Sequence, residues 1–145
     1  MRTVGDILQE KGREVFTISP EATVYTALQL MAEKNVGALV VRQQAGDVVG
    51  LISERDYARK IVLKGKFSKD VEIHEIMSAQ VVRVGPEEDI ERCMELMTHK
   101  RVRHLPVFEN DRLIGIISIG DIVKAIIEHK EEIIEQLEDY IKGRR

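Results

Sequence analysis

The sequence predicts an α/β (α+β) protein made of two pseudo-symmetric copies of one β-α-β-β-α unit, packed as an intramolecular pair, with an extended C-terminal helix. Three observations predict it. The phrase "GLISERD", Gly50 to Asp56, returns as "GIISIGD", Gly115 to Asp121. The longer run "VFTISPEATVYTALQLMAEKNVGALVV" from Val15 returns as "VVRVGPEEDIERCMELMTHKRVRHLPV" from Val81. Within each run, apolar residues at helical spacing give way to strand-sized apolar stretches. Two copies are too few for a solenoid, so each copy is expected to bury the open face of the other.

The elements follow in order. The strands Val15 to Ile18 and Val81 to Val84 open the copies, and Pro20 and Pro86 turn the chain into a helix. Val24, Ala27, Leu28 and Met31 form the apolar stripe of the first such helix; Ile90, Cys93, Met94 and Met97 form that of the second. Thr23 and Asp89 are the expected N-caps. Paired strands follow, Gly37 to Val41 with Val48 to Ile52, and His104 to Phe108 with Leu113 to Ile117. "AGD" and "END" supply the turns between them. The first copy carries one extra loop residue around Gln44 to Gly46. A second helix begins just after Ser53 and after Ser118. "KGKFSKD", Lys64 to Asp70, reads as the linker, and the leading segments "VGDIL" and "IHEIM" echo one another. The expected division is 1–66, 67–128 and a helical extension 129–145. In that extension Ile126, Ile133, Leu137, Tyr140 and Ile141 recur at helical spacing, with Ile134 widening the stripe. Glu and Lys line the other face, and Gly143 is placed to stop the helix. The stripe predicts a homodimer clasped by this helix.

Composition narrows the function. The 145 residues are 43% hydrophobic and 32% charged, with net charge −3 and pI near 5.9. That balance argues against nucleic acid and membrane surfaces as partners. Aromatic content of 4% with no Trp leaves little for base stacking. No run approaches the roughly 20 apolar residues of a membrane span. Asp6 interrupts the start before a secretory apolar region can form, and the single Cys93 has no internal disulfide partner. A cytoplasmic location, bacterial or archaeal, is expected.

The motifs "RVRHLPV" followed by "LIGIISIGDIV", with the counterparts "NVGALVV" and "VVGLISERDYA", resemble a tandem pair of CBS domains, the Bateman module. The resemblance covers about residues 1–127. The Ser-x-x-Asp phrase alone reads equally as a capping box, with Ser53 and Ser118 at the helix starts and Asp56 and Asp121 in the first turns. A helix N-terminus is also a ready anion site. The resemblance implies that Asp56 and Asp121 hold ribose hydroxyls and that Ser53 and Ser118 lie near the sugar-phosphate. It implies that Arg103 and His104 face a cleft between the copies, with Arg55 adding charge. Alternation places Arg101 on the same face as Arg103 of an extended segment, and the arginine fork suits phosphate. The adenine is expected against Phe16-Thr17 and Val82-Arg83. The first copy departs from the second at Val40, where Pro106 stands, and at Gly37-Ala38, where Arg103-His104 stand. Unequal phosphate chemistry is therefore expected.

The four histidines lack metal-ligand spacing. Cys93 reads as core, and no nucleophile with a base, Walker or Rossmann pattern is present. The expectation is a non-enzyme without a catalytic cofactor that senses an adenine nucleotide. AMP or NAD(H) is favoured, with ADP, ATP and S-adenosylmethionine as further candidates, and an unidentified regulated protein reads the signal. Two rivals remain: an interaction protein with vestigial sites, and a nucleic-acid module using the basic loop.

Overall fold

The computed structural model describes residues 2–44 and 46–143; Ala45 of the expected first-copy loop, Met1 and the last two residues of the expected extension lie outside them. The element order is α1 (Val4–Lys11), β1 (Thr17–Ile18), α2 (Val24–Lys34), β2 (Ala38–Arg42), β3 (Val48–Ser53), α3 (Glu54–Tyr57), α4 (Ile90–Lys100), β4 (His104–Glu109), β5 (Arg112–Ser118) and α5 (Ile119–Ile141). A π-turn over Ala58–Val62 continues α3, and a 3-10 turn spans Ile73–Glu75. The expected α+β architecture and the long C-terminal helix are both present.

The chain forms two compact units that do not follow the repeat boundaries. One runs from Val15 to Val81; the other joins the chain up to Glu14 with the chain from Val82 onward. Each leading segment is thus built into the unit that holds the body of the other repeat. In the discontinuous unit, Val4 N–H donates to Glu88 O at 2.9 Å, Gly5 N–H to Pro86 O at 2.8 Å and Ile90 N–H to Arg2 O at 3.3 Å. In the continuous unit, Ile73 N–H donates to Ala22 O at 2.8 Å, His74 N–H to Pro20 O at 3.0 Å and Val24 N–H to Val71 O at 2.9 Å. The two sets are the same bonds in the two repeats.

In the continuous unit β1 pairs parallel with β2, and β2 pairs antiparallel with β3. Its core gathers Val24, Ala27, Met31, Leu39, Val41, Ile52, Ile61 and Ile73. Helix α2 starts on the expected Thr23, whose hydroxyl accepts from Thr26 N–H at 3.2 Å, and ends on Asn35 in the left-handed region. The helical run begun by α3 ends in a Schellman motif. Gly65 takes φ +67°, Gly65 N–H donates to Val62 O at 3.2 Å, and Lys66 N–H donates to Ile61 O at 3.0 Å.

In the discontinuous unit β4 pairs antiparallel with β5 through a tight turn at Asn110 and Asp111, both at positive φ. The core collects Val4, Ile7, Leu8, Ile90, Cys93, Met97, Leu105, Val107, Ile117 and Ile122. Arg2 ties this unit's two ends, reaching Glu128 at 2.6 Å, Glu10 at 3.2 Å and Glu132 at 3.3 Å.

Three local expectations are corrected. The opening strand expected over Val81 to Val84 contracts to one parallel bridge, Val84 to Val107. In the first copy Val40 N–H donates to Phe16 O at 3.1 Å; its counterpart Pro106 has no N–H to offer Val82 O. Asp89 sits at the N-cap of α4, but its side chain makes no cap bond. Arg101 is not in an extended segment. It caps the C-terminus of α4 at φ +54°, so alternation does not relate it to Arg103.

The glycine that opens each repeated phrase is explained by close packing. A Cβ on Gly50 would lie 2.7 Å from both Ser78 O and Met77 Sδ, whereas one on Gly115 would lie 2.7 Å from the Leu8 Cδ2 methyl. Backbone yields less readily than a side-chain tip. Gly50→Ala is expected to cost about 1–3 kcal/mol, and Gly115→Ala to fall at the low end of that range. Urea unfolding of the two variants checks the order; equal losses would contradict it.

Candidate functional site

Each repeated phrase ends a strand and starts a helix, and each Ser-x-x-Asp closes a reciprocal capping box. Ser53 N–H donates to Asp56 Oδ2 at 3.0 Å, and Asp56 N–H donates back to Ser53 Oγ at 3.3 Å. Ser118 N–H donates to Asp121 Oδ2 at 2.8 Å, and Asp121 N–H donates to Ser118 Oγ at 3.1 Å. Both carboxylates are thereby fixed at a helix start, among N–H groups that lack intrahelical partners. The capping role that the spacing suggests is met at both positions.

The residues before β2 and β4 close on the same points. Glu54 N–H donates to Gly37 O at 3.1 Å, and Ile119 N–H donates to Arg103 O at 2.9 Å. Ala38 pairs with Ser53, and His104 pairs with Ser118. The discontinuous unit therefore brings Arg103, His104, Ser118 and Asp121 together, with Arg103 exposed. The continuous unit places Ser53, Arg55 and Asp56 together, with Arg55 exposed in the first turn of α3. Phe16 and Thr17 lie at β1, beside Val40. Val82 and Arg83 precede the Val84 bridge, and the Arg83 guanidinium stacks 4.0 Å from the Phe108 ring centroid. That contact spends the flat face of the group on an aromatic partner.

Each aspartate also meets a lysine, and the two lysines come from different places. Lys60, one turn along the same helical run, lies 3.3 Å from Asp56 Oδ1 and donates to Ile76 O at 2.7 Å. Lys11, from the end of α1, donates to Asp121 Oδ2 at 2.8 Å and to Ile116 O at 2.9 Å. Burial by itself pushes the Asp121 carboxyl up. The Lys11 ammonium and the donors of Ser118 outweigh it and hold the carboxyl below the ordinary range. The sequence motifs pointed to neither lysine.

Among the described residues no group of three His, Cys, Asp or Glu side chains is placed to hold a metal ion. Cys93 is buried in the core, where burial, with help from Glu88 and Asp89, pushes its thiol up to about 11. A thiol so raised stays protonated near neutrality and is a poor nucleophile.

The family model of the CBS domain matches twice, at residues 4–63 and 73–128. The chain is a tandem CBS-domain protein. It is 41% identical to the CBS domain-containing protein CBSX3, mitochondrial, of Arabidopsis thaliana, over 97% of this chain and 72% of that one. A solved CBS-domain protein from Burkholderia ambifaria shares 48% identity at a TM-score of 0.82, covering 87% of this chain and 94% of that one. A CBS domain pair solved in complex with 5′-methylthioadenosine and S-adenosyl-L-methionine matches at a TM-score of 0.75, over 86% of this chain and 98% of that one. At 24% identity that likeness carries the fold alone. No helix among the described residues is long and apolar enough to cross a membrane.

The Lys11 contact gives the stability of this CBS protein a defined pH dependence. Asp121 has a lowered folded value, so its contribution is full above the unfolded carboxylate value of about 3.9 and is lost as pH falls through the folded one. Asp121→Asn is expected to cost about 0.5–1 kcal/mol at pH 7, from the charge lost at the helix start and beside Lys11. The gap to wild type should hold down to about pH 4 and close as the pH falls further. Denaturant titrations from pH 7 to pH 2 check this; a gap that is constant with pH would refute the lysine pairing.

Proposed function

We propose that this CBS pair binds an adenine nucleotide through its Ser-x-x-Asp phrases and passes occupancy to a regulated protein or a second copy, without chemistry of its own. The matched capping boxes carry this reading. They hold Asp56 and Asp121 at helix starts, where a carboxylate can accept two vicinal ribose hydroxyls. Ser53 and Ser118 stand beside the sugar-phosphate position, with the N–H groups and dipole of each helix favouring an anion. Phe16 and Thr17 flank the adenine of the one site, and Val82 and Arg83 that of the other. Arg103 and His104 stand where the first copy has Gly37 and Ala38, so the two sites differ in affinity and in the phosphate charge they accept. AMP or NAD(H) fits best, and ADP, ATP and S-adenosylmethionine complete the candidates. The exposed stripe of α5 is the contact for a second copy. The compartment proposed is the cytoplasm.

A second reading is favoured by one observation: both aspartates already have partners, in their caps and in Lys60 or Lys11. On it, the phrases are helix caps and the protein is an interaction scaffold. A thermal-shift panel with these nucleotides separates the two. A ligand at about 100 times its dissociation constant stabilises by about 2.7 kcal/mol, which raises melting by several degrees. Asp56→Ala and Asp121→Ala each remove charge-assisted hydrogen bonds of about 1.5–3 kcal/mol, so affinity at the altered site should fall roughly 10- to 150-fold. Calorimetry of both variants reads this. No shift across the panel would leave the scaffold reading standing; wild-type binding by both variants would make the two aspartates capping residues only.

A further inference from the structure

Two apolar patches of opposite charge stand uncovered on the described surface. The first follows α3. Val62, Leu63 and Phe67 are 54%, 78% and 74% exposed. Arg59, Lys60, Lys64, Lys66 and Lys69 surround them in sequence, with no acidic residue between Asp56 and Asp70. This is a shaped surface and not slack chain. The Schellman turn at Gly65 fixes its middle, Asp70 N–H donates to Phe67 O at 3.0 Å, and Tyr25 N–H donates to Ser68 O at 3.0 Å.

The second patch is the far half of α5. Ile122 and Ala125 are buried in the core of their unit, but Ile134, Leu137, Tyr140 and Ile141 are 55%, 57%, 79% and 80% exposed. Between Lys130 and Lys142 this half carries Glu131, Glu132, Glu135, Glu138 and Asp139 and no basic residue.

We propose that the acidic apolar half of α5 in one copy docks on the basic apolar patch around Leu63 and Phe67 of a second copy. The proposal rests on the reading of α5 as a contact between copies and names the surface that meets it. Pairing α5 with itself would set Glu131, Glu135 and Glu138 of one helix near the same residues of the other. Pairing it with the patch sets carboxylates such as Glu135 and Glu138 against Lys64 and Lys66 and covers both apolar surfaces at once. In a two-fold dimer each copy offers both surfaces, so the contact is made twice. An anionic lipid surface is the other chemistry that suits a basic apolar patch. The acidic helix and the net charge of −3 favour the protein partner.

Sedimentation velocity on the full chain, with circular dichroism as the folding control, tests the pairing. Lys64→Glu with Lys66→Glu should weaken dimerisation about tenfold or more, and so should Glu135→Lys with Glu138→Lys. All four changes in one chain should return affinity to within about threefold of wild type, which a merely structural effect would not do. Raising the salt should weaken the wild-type dimer. If the Lys64 and Lys66 changes leave the dimer intact while Leu137→Asp breaks it, the proposed partner surface is wrong and the α5 contact stands. If the wild type is monomeric, or no variant shifts it, both fall. A monomer that cosediments with phosphatidylserine vesicles, and loses this with Lys64→Glu and Lys66→Glu, would assign the patch to lipid.

Discussion

The structure depends on a reciprocal backbone splice. Helices α2 and α4 each begin with donors that no intrahelical carbonyl can take. Carbonyls of the other repeat's leading segment meet the first of them, Val71 O for Val24 N–H and Arg2 O for Ile90 N–H. The proline turns return the favour, since Pro20 O and Pro86 O accept from His74 and Gly5. Backbone groups buried without partners are costly, so neither repeat is satisfied by its own residues. The splice meets only the first donor of each helix: Thr23 still caps α2 through Thr26 N–H, whereas Asp89 makes no such bond at α4.

That splice was the part of the fold least visible in the sequence. Periodicity and turn chemistry are local, and they were enough for the helical stripes, the β2–β3 and β4–β5 hairpins and the long α5. The echo of "VGDIL" in "IHEIM" was visible, but an echo does not say which body a segment packs against. The strand expected over Val81 to Val84 contracts for a reason that lies on its neighbour β4, the missing N–H of Pro106. Arg101 lies three residues before β4 begins at His104, so alternation does not reach it. The chain is still leaving α4 there through a left-handed cap, as it leaves α2 at Asn35.

The candidate site was legible to the same degree. Ser53, Asp56, Ser118 and Asp121 were found by repetition, and their spacing is what a cap and a ribose clamp have in common. One geometry serves both, so the motif cannot choose between them. The lysines differ in how they could have been found. Lys60 stands four residues after Asp56, a spacing that helix geometry makes a contact. Lys11 stands far from Asp121 in sequence and reaches it only because α1 is built into the discontinuous unit. The matched phrases therefore sit in unmatched electrostatic settings. The inequality first read from Arg103 and Gly37 extends to the aspartates themselves.

The discontinuous unit also bears on how the chain is made. A ribosome releases α1, with Val4, Ile7 and Leu8 apolar on one face, before the inner unit, and its docking surface after that unit. The stretch from Val15 to Val81 can close on itself while the rest is still being synthesised. During that interval α1 is a short helix without a core, and isolated helices of this length are marginal in water. Its completion waits on contacts between the two ends of the chain, which carry the largest loop-closure cost. The inner unit is thus the natural early folder, and α1 finds its place after it although α1 is made before it.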